Sequence, residues 1–246
     1  MKIIFLGTNG WYDTETGNTI CVFIETKKEY IVLDAGNGIH KIDRYIKKPK
    51  PVYLFLSHFH LDHIAGLHCL AKFNFRQGIT VYGPAGVKRV FSDLMRQPYT
   101  VPLRRLKTRI KVEELREGVR LPLKCDFKRL RHSSFCYGYC FQLEGKSIAF
   151  CTDTGVCPNL YRLSRNVDLL IAECSWKAGH GDKSWPHLNP YSVARLAKES
   201  GAKRLILVHF DSALYLKIAD RKTAERQARG IFKHSLAATD GLNLVI

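Results

Sequence analysis

The residues from Ser57 to His63 read Ser-His-Phe-His-Leu-Asp-His, and they are the side chains of this 246-residue chain best suited to chemistry. Imidazole and carboxylate groups are ligands for borderline metal ions such as zinc. His58 and His60 are spaced i, i+2, so at the end of a strand both can face one ion. Asp62 and His63 begin the next segment and are free to serve a second ion. The motif therefore predicts a metal centre.

An apolar run at residues 51–56, with the length and composition of a buried strand, directly precedes this motif. Three more ligand-type residues follow downstream, namely His132, Asp153 and His209. Asp153 and His209 come after apolar runs at residues 147–151 and 205–208, so we expect both at strand ends. A single histidine after a strand is more often a packed core residue than a ligand. The upstream motif favours the ligand interpretation here.

These residues, in this order, resemble the signature of the metallo-β-lactamase superfamily: His-x-His-x-Asp-His, then a lone His, a lone Asp and a final His. Asp34, in Leu-Asp-Ala-Gly-Asn-Gly, matches the early Asp-x-Gly turn of that superfamily. The resemblance implies an α/β fold, a four-layer αββα sandwich of two similar halves with the metals at the sheet edge. It also implies the ligand sets: His58, His60 and His132 for one metal, Asp62, His63 and His209 for the other, and Asp153 as the bridge.

Two ions held in this way would bridge a water, lower its pKa toward neutrality and neutralise charge that develops on the attacked group. We therefore expect a hydrolase with two divalent metal ions, zinc above all, with manganese as an alternative. This chemistry does not choose between a phosphodiester, a lactone, a thioester and a β-lactam.

Other segments resemble the ribonuclease Z branch of the superfamily. The opening Phe-Leu-Gly-Thr, with Gly-Asn-Thr at residues 17–19, looks like the start shared by ribonuclease Z and related phosphodiesterases. Glu173 and His187 resemble the Glu/His pair of that group, in which the histidine protonates the leaving oxygen and the glutamate orients it. Asp62, Glu173 and His187 are thus the expected catalytic residues. The alternative is that Glu173 is a surface acid at a strand end and His187 only precedes a helix.

One departure from ribonuclease Z concerns the long arm that grips tRNA, which that family inserts between the third-motif histidine and the bridging aspartate. Only 20 residues separate His132 from Asp153, so the arm cannot fit. We expect a phosphodiesterase acting on RNA, another single-stranded nucleic acid or a cyclic nucleotide instead of on tRNA ends. Two alternatives are a lactonase or other carboxyl-ester hydrolase, and a nucleic-acid-binding module with a vestigial site.

The formal net charge of +17 bears on the partner. Eleven Lys and Arg stand against four acids between Arg104 and Arg131, a segment that we call the basic belt. Such a field attracts phosphates and nucleic-acid backbones, although a solvated surface of the kind found in heat-adapted proteins is an equal alternative. The segment from Lys177 to Trp185 is Gly-rich and basic, and is either a substrate lid or a plain surface loop.

The rest of the sequence predicts one domain over residues 1–246. Strands are expected at residues 2–6, 20–25, 30–33, 52–56, 79–82, 147–151, 168–172, 204–208 and 242–246. Helices are expected at about 63–73, 85–96, 190–199 and 218–236. The apolar run at the amino terminus is too short for a signal peptide, and no run approaches a membrane span.

Eight cysteines without a Cys-x-x-Cys pair fit a cytoplasmic protein with free thiols. A third, structural zinc held by Cys136, Cys140 and Cys157 is the less favoured alternative. The sequence leaves the physiological substrate, the native metal and the oligomeric state, including a homodimer, open.

Overall fold

The computed structural model describes residues 1–116, 118–182 and 184–246. Glu117 of the basic belt and Lys183 of the Gly-rich segment lie outside the described residues. The first half of the chain forms seven strands: β1 (Lys2–Gly7), β2 (Asn9–Gly10), β3 (Cys21–Glu25), β4 (Tyr30–Leu33), β5 (Val52–Phe55), β6 (Ile79–Gly83) and β7 (Ile110–Glu114). Its helical elements are the 3₁₀ segments Asn37–Arg44, Ala65–Lys72 and Leu103–Arg105 and the α-helices α1 (Leu61–Ile64) and α2 (Val87–Leu94).

The second half repeats this alternation of strands and helices. Its strands are β8 (Cys125–Arg129), β9 (Tyr137–Leu143), β10 (Lys146–Cys151), β11 (Leu169–Glu173), β12 (Leu205–Val208), β13 (Phe210–Asp211), β14 (Ser235–Ala237) and β15 (Asn243–Val245). Its helices are α3 (Pro158–Ser164), α4 (Pro190–Glu199) and α5 (Ile218–Arg229).

The strands form two large sheets. One has seven strands in the order β15-β1-β3-β4-β5-β6-β7, and the other has six in the order β14-β12-β11-β10-β9-β8. In the first sheet β4 to β7 run parallel, and in the second sheet β10, β11, β12 and β14 do. The short strands β2 and β13 pair with each other. The carboxyl ends of parallel strands share one edge of each sheet, which is where open α/β sheets bind ligands.

The two sheets pack face to face over an aromatic core. The ring of Phe55 from the first sheet lies 5.1 Å from Phe141 and 5.4 Å from Tyr139 of the second, centroid to centroid. The outer face of the first sheet buries side chains of α2 and of two 3₁₀ segments, and the outer face of the second is covered by α3, α4 and α5. The layering is therefore helix, sheet, sheet, helix, which confirms the predicted αββα sandwich.

Helix α4 spans the predicted residues 190–199, because Asn189 caps it through the backbone N–H groups of Tyr191 and Ser192 and Pro190 fits its first turn. The helix predicted over residues 218–236 is wrong beyond Arg229. There the chain turns at Gly230, and Ser235–Ala237 pairs with β12 as strand β14 instead. Sheet pairing at that edge thus overrides the apolar periodicity.

The helix predicted at residues 63–73 is also wrong as a single element, since one turn of α-helix, Leu61–Ile64, continues as the 3₁₀ segment Ala65–Lys72. The elements that were not predicted are strands β2, β7, β8, β9, β13 and β14, helix α3 and the 3₁₀ segments Asn37–Arg44 and Leu103–Arg105. Strands β7 and β8 read Ile-Lys-Val-Glu-Glu and Cys-Asp-Phe-Lys-Arg, so they lack the continuous apolar run of the buried strands. Both are edge strands, where charged side chains prevent further pairing.

Among the described residues no helix is both long and apolar enough to cross a membrane. All eight cysteines are free.

Candidate metal centre and active site

The site lies where several strands end. Strand β5 leads into Ser57 and the motif that follows it, β10 leads to Asp153, β11 ends at Glu173, and β12 leads to His209. The pairing of β13 with β2 then brings the loop around Gly10 against the ring of His209. Parallel strands therefore carry residues distant in sequence to one edge of the sandwich.

The structure brings all seven predicted metal ligands together. They form two groups, and within each group the atoms that could bind a metal lie within 4.8 Å of one another. The first group is His58, His60, His132 and Asp153, and the second is Asp62, His63 and His209. These are the two sets that the resemblance implies.

Asp153 lies between the two groups and presents one carboxylate oxygen to each. Its Oδ1 is 3.1 Å from Nε2 of His63 and 3.1 Å from Nε2 of His209. Its Oδ2 is 3.8 Å from Nε2 of His58 and 3.7 Å from Nε2 of His132. A carboxylate in this position has the geometry expected of a bridge between two ions.

Three site residues have left-handed backbone conformations that are unusual for residues other than glycine. The φ angles are 58° for Asp34, 52° for Asp153 and 54° for His209. Asp and His tolerate this region better than most residues, but it still costs free energy. Such strain persists where the surrounding structure fixes it, and it concentrates at functional sites.

Buried hydrogen bonds orient the histidines from behind. Asp34 accepts from Ser57 N at 2.6 Å and Ser57 Oγ at 2.8 Å, and its Oδ2 is 2.8 Å from Nδ1 of His63. Ser175 Oγ lies 3.0 Å from Nδ1 of His209. Partners of this kind fix the ring orientation of metal-binding histidines. No sequence signal pointed to the role of Ser57 or Ser175.

Trp11 is another residue that the sequence did not indicate. Its backbone N–H donates to Oδ2 of Asp62 at 2.8 Å. The same oxygen lies 3.1 Å from Nε2 of His209. The loop after β2 thus holds the Asp62 carboxylate in place.

The electrostatics differ between the two groups. Burial lowers the pKa of His58, His60 and His132, that of His132 to about 4, so these rings are neutral with a lone pair to offer.

Burial lowers the pKa of His63 and His209, but the carboxylates of Asp153 and Asp62 outweigh it and raise the pKa of both rings. Burial opposes ionisation of Asp62 and Asp153, but the surrounding histidines outweigh it and hold the pKa of both carboxyls well below the usual range.

One atom of the first group, Nε2 of His58, is buried and has no hydrogen-bond partner among the described residues. Buried polar atoms rarely remain unsatisfied, because the desolvation penalty is then not repaid. Imidazole nitrogens and carboxylate oxygens that converge in this way fit divalent ions with N and O ligands. The residues present therefore fit the metal ions that the superfamily fold implies.

Glu173 and His187 lie beside this centre and contact each other. Nδ1 of His187 is 2.7 Å from Oε1 of Glu173, and both side chains are almost entirely buried. The His187 ring centroid is 5.4 Å from His132 and 6.1 Å from His209, so it approaches both ligand groups. Burial lowers the pKa of His187, but the Glu173 carboxylate more than compensates and raises the pKa to about 9.

Backbone groups fix the Glu173 carboxylate. Oε1 accepts from Thr154 N at 2.5 Å, and Oε2 accepts from Leu188 N at 3.2 Å and from Ser175 N at 3.3 Å. Glu173 is therefore buried at the site, and the alternative of a surface acid is wrong.

The Gly-rich segment reaches the metal centre through Trp185. The Trp185 indole stacks on the His60 ring with centroids 5.8 Å apart and an interplanar angle of 7°, and its edge contacts His132. Lys183 of this segment lies outside the described residues.

The connection from His132 to Asp153 is short and regular. Strands β9 and β10 are joined by Glu144 and Gly145, which have φ angles of 50° and 78°. Two successive positive φ angles are typical of the tightest hairpin turn. The connection between His132 and Asp153 therefore contains a two-residue turn.

The cysteines do not form a further metal site. Among the described residues the His, Cys, Asp and Glu groups close enough to hold a metal ion are the two above, and neither includes a cysteine. Burial raises the pKa of Cys136, Cys140 and Cys151. These thiols behave as small apolar groups in the second sheet.

The basic belt lies along edge strands β7 and β8 and the loops beside them. Some of its charges are paired within the belt: Lys111 with Glu113 at 2.9 Å, Arg116 with Glu114 at 2.8 Å and Lys128 with Asp126 at 3.3 Å. Arg129, Arg131 and Arg162 line a cavity of about 280 Å³ together with Pro158 and Asn159. Arg131, one of these lining residues, directly precedes the candidate ligand His132 in the sequence.

A family model described as "Beta-lactamase superfamily domain" matches residues 29–210. The chain belongs to the beta-lactamase superfamily. The match includes all seven predicted ligands together with Glu173 and His187.

Ribonuclease Z of Acaryochloris marina is 28% identical over 307 aligned residues, covering 99% of this chain and 96% of the relative. Because this chain has 246 residues, the relative carries segments that have no counterpart here.

Solved structures share the fold over nearly the whole chain. The metallo-beta-lactamase fold protein YhfI from Bacillus subtilis has a TM-score of 0.82 at 23% identity, covering 99% of this chain and 98% of that one. The short form of human tRNase Z has a TM-score of 0.77 at 21% identity, covering 100% of this chain and 99% of that one.

Proposed function

We propose that this protein is a dinuclear metal-dependent phosphodiesterase of the ribonuclease Z-like branch. The observation that carries the proposal is a bridging carboxylate, Asp153, between two ligand groups, with the Glu173–His187 pair directly beside them. The similarity to ribonuclease Z over nearly the whole chain supports it.

The residue roles follow this geometry. His58, His60 and His132 hold one ion, Asp62, His63 and His209 hold the other, and Asp153 binds both. Zinc is the ion we propose, because three imidazoles and a carboxylate are a ligand set that zinc favours, and manganese is the alternative. Two such ions supply activation of water and neutralisation of the charge that develops on the phosphate.

His187 supplies the proton in this proposal. The Glu173 carboxylate holds Nδ1 of His187, which leaves Nε2 for the substrate. With its pKa raised to about 9, the ring is protonated at neutral pH. An alkoxide is a poor leaving group, and a proton from His187 converts it to an alcohol as the P–O bond breaks.

Charge next to the site favours a phosphate ester over a lactone. Within the described part of the chain, neither Arg131 nor Arg162 pairs with an acid, both line one cavity, and Arg131 directly precedes His132 in the sequence. Guanidinium groups bind phosphate oxygens in a bidentate manner. The short turn at Glu144 and Gly145 supports a substrate other than the tRNA end, namely RNA, another single-stranded nucleic acid or a cyclic nucleotide.

A hydrolysis screen of the zinc- or manganese-loaded protein tests this function. Matched phosphodiester, phosphomonoester, lactone and thioester substrates are compared by kcat/KM, with Asp153→Ala as the inactive control. We expect the diester to be preferred. Faster turnover of the lactone or thioester would replace the proposal by the carboxyl-ester alternative, and no turnover of any substrate would favour a vestigial site.

We also propose that the protein works in the cytoplasm, since eight free cysteines suit a reducing compartment. A homodimer stays a prediction, and the mass of the protein in solution tests it.

A further inference from the structure

Two of the three tryptophans are exposed, and each adjoins one ligand group. Trp11 is 65% exposed and Trp185 is 46% exposed. Trp11 bonds to Asp62 of the second group through its backbone, and Trp185 stacks on His60 of the first. Large exposed aromatic groups beside a polar site expose apolar surface to water, which is a cost unless a ligand covers them.

The backbone of Trp11 has a strained conformation, and its side chain is exposed to solvent. Its φ angle is 72°, which is an outlier for a bulky residue. Tyr12 adjoins it, with ring centroids 5.2 Å apart, and is itself 43% exposed. Backbone strain of this kind is retained where surrounding contacts fix it, and it motivates a functional hypothesis.

A buried network fixes the loop that carries Trp11. The guanidinium of Arg221, which is 1% exposed, donates to Asn9 Oδ1, to Thr8 Oγ1 at 2.7 Å and to Thr16 Oγ1 at 3.0 Å. The Asn9 side chain in turn donates to the backbone oxygen of Tyr12 at 3.1 Å. The fold therefore fixes the backbone of the loop from which the Trp11 indole projects.

Trp185 is positioned by rings instead. It lies parallel to His60 and within 6.1 Å of His187, so one indole face is covered and the remaining exposed surface borders the site. Leu61, which is 70% exposed, stands between His60 and Asp62 in the sequence and adds apolar surface at the same place.

We propose that the indoles of Trp11 and Trp185 are base-stacking platforms, one on each side of the cleaved phosphate. They would make a single-stranded nucleic acid with a base on both sides of the scissile bond the preferred substrate, over cyclic nucleotides and alkyl diesters. The inference rests on the proposed phosphodiesterase activity. Stacking suits this role because every base has an aromatic face, so sequence is not read.

The first experiment uses dinucleotides, in which the cleaved bond is unambiguous. The substrates are a dinucleotide, the two analogues that each lack one base, and a dialkyl phosphate with neither base. Trp11→Ala and Trp185→Ala should each lower kcat/KM on the full dinucleotide by roughly tenfold, the usual effect of one stacked base. On the analogue that lacks the base stacked on Trp11, Trp11→Ala should no longer lower kcat/KM. On the analogue that lacks the other base, Trp185→Ala should no longer lower it.

Matched variants separate stacking from structural damage. Trp11→Phe and Trp185→Phe keep an aromatic face and should retain most of the activity on the dinucleotide. Tyr99→Ala removes an exposed aromatic side chain that belongs neither to the site nor to the basic belt, and it should leave kcat/KM on all four substrates unchanged; Tyr99 is 68% exposed. An equal loss on all four substrates, the dialkyl phosphate included, would overturn the platform role.

The second experiment does not depend on turnover. A non-hydrolysable single-stranded oligonucleotide should quench the tryptophan fluorescence of the wild type, and the quenching should be nearly abolished in the Trp11→Phe/Trp185→Phe double variant, which keeps only Trp176. Unchanged quenching in the double variant, or none in the wild type, would overturn the proposal. Quenching by a wild-type protein that hydrolyses no diester would instead reject the proposed function and leave the platforms standing.

Discussion

Oδ2 of Asp34 lies 2.8 Å from Nδ1 of His63, while Nε2 of the same ring lies 3.1 Å from Oδ1 of Asp153. A buried carboxylate thus holds one side of the imidazole while the other side faces the metal centre. This hydrogen bond orients the ring, and with an ion bound it would hold the tautomer whose Nε2 lone pair faces that ion.

Asp34→Asn should weaken the ion at the Asp62, His63 and His209 group by roughly 10- to 100-fold in affinity, the usual effect of losing such a partner. The Asp34 carboxylate uses both of its oxygens, which bond to Ser57 N, Ser57 Oγ and His63 Nδ1. The amide of Asn has only one acceptor oxygen and cannot replace both. Asn also tolerates the left-handed φ of 58° at this position, so backbone strain does not confound the result. Competition with a chelator measures the affinity, and an unchanged value would mean that Asp34 only supports the fold.

Gly10→Ala should lower the occupancy of the same ion. A Cβ at Gly10 would lie 2.5 Å from Cε1 of the His209 ring, so the ring has to move. Gly181→Ala is the matched control, because a Cβ there meets nothing within 4 Å. Metal analysis of both variants checks this. Full occupancy in Gly10→Ala would show that His209 has room to shift and still bind.

His187→Ala should barely change the hydrolysis of bis(4-nitrophenyl) phosphate but slow an alkyl or nucleotide diester by roughly 10²–10⁴-fold, the usual size of a general-acid contribution. The reason is that nitrophenolate leaves without a proton. Glu173→Gln should follow the same pattern more mildly. Equal losses on both substrates, with the metal content intact, would assign His187 to positioning instead.

The pH profile provides a second test of the His187 role. A pKa raised to about 9 keeps the ring protonated at neutral pH, so acid catalysis is present below this value and lost as pH rises through it. Metal ions bound nearby lower the pKa of His187. The decline of activity on the alkaline side of the pH profile should therefore lie at or below pH 9. This decline should be seen with the alkyl diester and vanish in His187→Ala. Its persistence in the variant would assign it to another group.

If the basic belt binds nucleic acid, the Arg104→Glu/Arg105→Glu variant should flatten the salt dependence of oligonucleotide affinity. The logarithmic slope should fall by about 0.7 for each phosphate that the variant no longer neutralises. Lys27→Glu/Lys28→Glu is the control, since these two adjacent exposed cations lie outside the belt. If the salt dependence of affinity is the same in both variants, the belt does not bind nucleic acid. Its charges would then only keep the edge strands solvated, where charge discourages aggregation.

The seven candidate ligands were predicted through the family resemblance, which rests on the short motif and on the order of His132, Asp153 and His209 after it; of these three, only Asp153 and His209 also follow apolar runs. The buried strands could be predicted from the sequence itself, since β4 and β12 are continuous apolar runs. The edge strands β7 and β8 could not, since their partner strand supplies the pairing that their own composition does not indicate.

The roles of the residues that support the candidate ligands could not be predicted from the sequence either. Ser57, Ser175 and the backbone of Trp11 act through contacts with residues far along the chain, and 51 positions separate Trp11 from Asp62. Only the folded chain brings such residues together. The left-handed conformations at Asp153 and His209 likewise carry no sequence signal, because neither residue type requires them.

The most direct test of the central claim is the metal stoichiometry of the protein and of its Asp153 variants. We expect two divalent ions per chain after reloading with excess zinc, and Asp153→Ala should reduce both occupancies, because its two oxygens face different ligand groups. Asp153→Asn, which suits the left-handed backbone, should also disturb both, and the exposed Asp126→Ala should disturb neither. One ion in the reloaded wild type would contradict the dinuclear site, and loss of a single ion in the Asp153 variants would contradict the bridge.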